Sequence, residues 1–129
     1  MAHQITTLLA EQLYVNGSSA SVIQTATGVS SEAGVYTLDL SAGNNFSITL
    51  SGTAILAAAV NAQPGQSGII FITQDSNGNH TMSFDGSWRF SNGTIPSLSI
   101  TGGAVDGIAY MVRVGGATPI VSATLVSAI

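Results

Sequence analysis

The chain has 129 residues, of which 45% are hydrophobic and only 6% charged, against roughly a quarter charged in ordinary domains. There is no lysine; Arg89 and Arg113 face Glu11, Glu32, Asp39, Asp75, Asp85 and Asp106, for a net charge of −4. That balance excludes a Lys/Arg patch for nucleic acid and any attraction to an anionic membrane surface. Cysteine is absent, so disulfides and thiolate chemistry are excluded as well.

Intrinsic disorder does not fit, because disorder requires low hydrophobicity and high charge. No apolar run approaches the ~20 residues that span a bilayer. The opening "MAHQITTLLAEQ" lacks a basic n-region and a long apolar h-region, so no signal peptide is expected. Neutral amides and hydroxyls must supply most of the polar surface. Such groups are desolvated more cheaply than ions, which suits a subunit with many neighbours.

Residues 1–20 read as an N-terminal arm or, equally, as a first strand or helix of the same domain. Ile5, Leu8, Leu9 and Leu13 recur at roughly helical spacing, but a helix of that length is marginal alone. The expectation is an arm ordered against a partner or against the domain body, with "NGSSAS" (16–21) as its joint. Residues 21–129 read as one β domain. "VYTLDL" (35–40) puts Tyr36, Leu38 and Leu40 on one face, and "NFSITLS" (45–51) puts Phe46, Ile48 and Leu50 on one face. The turn-forming "SAGNN" between them predicts a hairpin. Residues 53–65 are ambiguous between a helical turn and a strand.

"GIIFITQ" (68–74) is apolar on both faces, as a central strand buried on two sides would be. Asn77-Gly78 is a tight-turn signal, and "TMSFDGSWRF" (81–90) reads as the return strand. There Met82, Phe84, Trp88 and Phe90 form a core wall, with Gly86 marking a bend or bulge. A loop around Pro96 follows. Residues 105–114 and 118–126 read as the last two strands, joined by "GGA". About nine short strands predict an all-β fold, an antiparallel β-sandwich or jelly-roll-like domain. No internal repeat or heptad shaft is present.

No catalytic set emerges. His3 and His80 belong to no metal-ligand spacing, so no metal site is expected. There is no Gly-x-Ser-x-Gly elbow, and a phosphate loop would need lysine. Asp75, Asn77 and Asn79 imitate the start of a Ca²⁺ loop, but the closing glutamate is missing. Asp39 and Asp85 offer the carboxylate pair of a glycosidase, although isolated strand carboxylates on a solvated face are the default reading. Trp88 with Phe90 and Arg89 offers a sugar-stacking platform, although its parity with Met82 and Phe84 favours the core. Arg89, on the opposite face, is expected to pair with a carboxylate such as Asp106. No cofactor is expected.

A resemblance enters in the second half. "GQSGIIFITQD" (65–75), "MSFDGSWRF" (82–90), "GTIPSLSITGGAVDGIAYMVRV" (93–114) and "ATLVSAI" (123–129) together resemble a β-rich domain of tailed-bacteriophage virion surface proteins. The type occurs at the C-terminus of tail fibres and in free-standing surface proteins. The resemblance covers about 65 residues. It implies an all-β fold, trimerisation and no enzyme activity, and it carries no binding residue with it. A chain with room for an arm and one domain favours a head decoration, or cement, protein over a whole fibre. The expected partners are then other copies of the chain, as a homotrimer, and the major capsid protein on the virion surface. Ile5, Leu8, Leu9, Leu13 and Tyr14 are the expected capsid or subunit contacts. The alternative is a fibre-tip module that binds host glycan through Tyr14, Tyr36, Tyr110 or Trp88. A weaker third is a carbohydrate-active enzyme using Asp39 and Asp85.

Overall fold

A computed structural model describes residues 23–24 and 28–129. The expected arm, its joint and the contact residues Ile5, Leu8, Leu9, Leu13 and Tyr14 lie outside the described residues. Ten strands follow in order: β1 (Ile23–Gln24), β2 (Val29–Glu32), β3 (Val35–Leu38), β4 (Asn45–Leu50), β5 (Ala54–Leu56), β6 (Ser67–Gln74), β7 (Met82–Phe84), β8 (Trp88–Arg89), β9 (Val105–Val114) and β10 (Ile120–Val126). They form a six-stranded sheet, β1-β4-β6-β9-β10-β8, and a four-stranded sheet, β2-β3-β5-β7. The protein is therefore mostly β, and both sheets are mixed.

From β3 to β8 the chain changes sheet at every step. Each strand returns to its sheet running the same way as the one before. Hence β3, β5 and β7 pair in parallel, with Val35 beside Ile55 and Ala54 beside Met82. In the larger sheet β4 and β6 pair in parallel, with Phe46 beside Ile70. A parallel pair needs a crossover, and here the crossover is a strand of the opposite sheet. In the larger sheet β9 alone runs opposite to its neighbours, pairing antiparallel with β6 and β10.

This winding corrects four expectations. The domain is not an antiparallel assembly. Residues 35–40 and 45–51 do not form a hairpin, because β3 and β4 belong to different sheets. The Asn77-Gly78 turn likewise carries the chain from β6 across to β7 in the other sheet. The stretch 81–90 is also two strands, broken by a turn at Gly86-Ser87, so that β7 and β8 lie in different sheets. Gly86 does mark the bend. An unforeseen hairpin joins β2 to β3 through Ala33 (φ 53°) and Gly34 (φ 82°), two left-handed residues that match the twist of the paired strands. The β9–β10 hairpin lies where the sequence placed it, and residues 53–65 supply the short strand β5 and a bridge at Val60.

The inner faces meet in one core. Leu38, Leu56 and Met82 come from the small sheet; Phe46, Ile48, Leu50, Ile70, Ile72, Ile108 and Val121 come from the large one. Each such side chain contributes roughly 1.5–3 kcal/mol on burial. The faces read for Leu38 and Leu40, and for Phe46, Ile48 and Leu50, are the buried ones. Among the described residues, strand β6 is fully buried on one side, at Ile70, Ile72 and Gln74, and half-buried on the other, at Ile69, Phe71 and Thr73.

Candidate functional site

Each described aspartate is engaged by its own surroundings. Asp39 Oδ1 accepts from the Ser41 amide (2.9 Å), the Ser41 hydroxyl (2.6 Å) and Asn61 Nδ2 (2.9 Å). Asp75 Oδ1 accepts from the amides of Asn77 and Gly78 and lies 2.8 Å from His80 Nε2. Asp85 Oδ2 accepts from the Ser87 amide. Asp106 is buried and accepts from the Ser99 amide, the Ser99 hydroxyl and the Ala128 amide. Asp39, Asp75 and Asp85 close turns, as side-chain acceptors do where the chain reverses, whereas Asp106 ties strand β9 to the loop at Ser99 and to Ala128.

The proposed pairings of chemistry do not assemble. Asp39 binds Ser41 and Asn61, Asp85 binds Ser87, and the two carboxylates share no hydrogen bond. The Asp75–Asn79 turn uses its carboxylate on its own amides, and among the described residues no three His, Asp or Glu side chains form a metal group. Arg89 does not reach Asp106; its Nε donates to the Gly86 carbonyl at 2.7 Å.

The aromatic residues divide the same way. Trp88 is 1% exposed, packs edge-on to Tyr110 with centroids 6.1 Å apart, and donates Nε1–H to the Ala57 carbonyl at 2.9 Å. Tyr110 is buried and donates its hydroxyl proton to the Asn44 carbonyl; burial pushes that hydroxyl well above its ordinary pKa. Phe84 and Phe90 stack edge to face. Of the four glycan candidates, Trp88 and Tyr110 are core residues, Tyr36 is half-buried against the core, and Tyr14 lies outside the described residues.

Neutral amides do the positioning that ions do elsewhere. Gln74, 2% exposed, donates to the carbonyls of His80 and Ser99 and accepts from the His80 amide. It ties the end of β6 to the loops on both sides. Gln66 Nε2 donates to the Leu40 carbonyl and to Asn44 Oδ1, fixing the loop before β4. Nothing in the sequence separates these two glutamines from surface ones except their place at the ends of β6. Beside Asp39, a cleft of about 540 Å³ is lined by Leu40, Ser41, Asn61, Gln63 and Pro64, with no aromatic wall. The surface also exposes large apolar side chains: Ile55, Val60, Ile95, Ile100, Met111 and Val126.

The turn carboxylates make the fold acid-sensitive. Hydrogen bonds from Asn61, then Ser41, hold the Asp39 carboxyl below the usual range. At Asp75 partial desolvation pushes upward, but the His80 hydrogen bond and the Gly78 amide outweigh it, and the net shift is also down. A carboxyl with a depressed folded pKa stabilises the protein above its unfolded value, about 4, and loses that contribution as pH falls through the folded value. Urea midpoints should hold from pH 7 to 5 and drop between pH 4 and 2. The Asp39 share is under about 1 kcal/mol because the group is largely solvated. Asp39→Asn should flatten part of the drop; an unchanged acid limb would remove Asp39 from this role.

Comparison with protein-family models, with curated proteins and with solved structures gives no match.

Proposed function

We propose that this chain is a structural protein of a tailed-phage virion, a head decoration subunit that binds the outer capsid surface as a closed homo-oligomer, most simply a trimer. The domain in this reading is a β-sandwich-type module without enzymatic activity, and its partners are the major capsid protein and its own copies. One observation carries the proposal. The described aspartates accept hydrogen bonds within the fold, while the surface left for partners carries few charges and several exposed apolar side chains. That chemistry suits contact and shape rather than turnover.

Glycan binding at a fibre tip is the second reading, and it is the weaker one. Trp88 and Tyr110 are in the core, so the aromatic platform it relied on has lost two of its four members.

Two measurements test the proposal. Light scattering on the free protein should give an oligomeric mass at micromolar concentration, and a monomer would count against closed assembly. Antibody labelling of intact particles should mark the head. Label confined to the tail tip would replace decoration with the receptor-binding reading.

A further inference from the structure

The outer face of the six-stranded sheet carries an apolar strip. Ile69 and Phe71 alternate with the buried Ile70 and Ile72, so they point away from the core, and both are half-buried. On β9 the outward residues include Ala109 and the exposed Met111; on β10 they include the exposed Val126. Pairing registers set Ile69 beside Ala109, Phe71 beside Gly107, and Gly107 beside Val126. The C-terminal Ile129 joins the strip. A Cβ at Gly107 would lie 2.9 Å from both Ile129 Cδ1 and Ile69 Cδ1, so these two side chains close over the glycine. The single charge on the outward side of β4, β6, β9 and β10 is Arg113, near one rim.

We infer that this strip is the docking surface of the chain's own N-terminal segment. The inference does not depend on a capsid. Three observations support it. The first is place. Strand β1 lies in this same sheet, with Ile23 beside Asn45, and Asn45 Oδ1 accepts from the Ile69 amide. The chain therefore enters the sheet at the rim where Ile69 and Met111 lie. Two strand spacings, about 10 Å, separate Ile23 from Ile69.

The second is length. Residues 1–22 precede β1. The seven residues from Asn16 to Val22 can span about 23 Å when extended, more than the distance to the strip. "NGSS" at 16–19 has the residue types that reverse a chain, as a return over the sheet would require. The third is chemistry. On a helix the spacing of Ile5, Leu8, Leu9 and Leu13 would put them on one face, and Glu11 is the only charged residue among Asp, Glu, Lys and Arg before β1. An apolar face with one negative charge meets an apolar strip with one positive charge near the entry rim. Attachment to the same sheet also gives the segment a high effective concentration there.

The chain has no cysteine, so introduced pairs can be cross-linked without background. Leu9→Cys would be combined with Met111→Cys on the strip and, as control, with Ser83→Cys on the exposed side of β7. The full-length variants would be treated in dilute solution with a short bismaleimide and mapped by mass spectrometry. The expected result is a link within one chain, several-fold more abundant for Leu9–Met111 than for Leu9–Ser83. Links only between copies would assign the strip to a neighbour's segment and overturn the inference, as would equal yields from the two pairs. In full-length Leu8→Ser/Leu9→Ser, binding of an apolar dye should rise several-fold with the far-UV spectrum unchanged. Parental dye binding would overturn the inference independently.

Discussion

Trp88→Ala should lower the free energy of unfolding by about 3–5 kcal/mol, the cost of deleting a large buried aromatic and leaving a cavity. Trp88 is 1% exposed, and its position explains the size of the effect. It belongs to β8, at the edge of the six-stranded sheet, yet its indole N–H reaches the Ala57 carbonyl, just beyond β5 of the other sheet. One side chain therefore links the two sheets where the chain has just crossed between them. The ring also meets the edge of Tyr110, whose hydroxyl holds the Asn44 loop. Trp88→Phe separates the contributions. It keeps most of the apolar volume but strands the Ala57 carbonyl, at about 1–3 kcal/mol. Trp88 is the only tryptophan, so unfolding would be followed by far-UV circular dichroism. The alanine variant should melt about 10 °C or more below the parent. A melt within a degree or two would take Trp88 out of the core.

The burial of Trp88 was legible because period-two alternation reports which residues share a face. That holds for Leu38 and Leu40, and for Phe46, Ile48 and Leu50, whichever strands become neighbours. Pairing was not legible for a related reason. A turn signal such as "SAGNN" or Asn77-Gly78 says that the chain reverses. It does not say whether the next strand lies beside the last one or across the core from it. Asp39 closes its turn in the same way in either case, through Ser41. Only tertiary packing distinguishes the two, here through contacts such as the close approach of Gly78 to the Ile100 and Thr101 backbone. Gly78 has a positive φ of 66°, so the sequence signal for a left-handed residue was correct while the hairpin drawn from it was not. The partners of the aspartates were not legible either. In so uncharged a chain each carboxylate draws attention as chemistry, yet each is satisfied within the fold.

Asp106 is the sharpest instance of that, and Asp106→Ala should cost about 2–4 kcal/mol. The side chain is 2% exposed and was expected to face Arg89. Instead its two oxygens accept from the Ser99 amide (2.7 Å), the Ser99 hydroxyl (2.8 Å) and the Ala128 amide (2.7 Å). Hydrogen bonds to an ionised acceptor are worth roughly 1.5–3 kcal/mol each, and their sum is reduced here because deletion also relieves the desolvation of a buried charge. Truncation leaves the Ser99 amide without its acceptor. It also frees the chain end, where the Ile129 amide donates to the Val105 carbonyl and its side chain closes over Gly107. Asp106→Asn keeps the shape but turns one acceptor oxygen into a donor against the Ser99 amide, so its loss should fall between parent and alanine. Chemical unfolding should therefore rank parent, asparagine, alanine. Amide exchange at Ser99 and Ile129 should quicken in the same order, ahead of the rest of the core. Parental stability in the alanine variant would mean that desolvation cancels the three hydrogen bonds, and that the chain end is held by Ile129, through its amide and its packing.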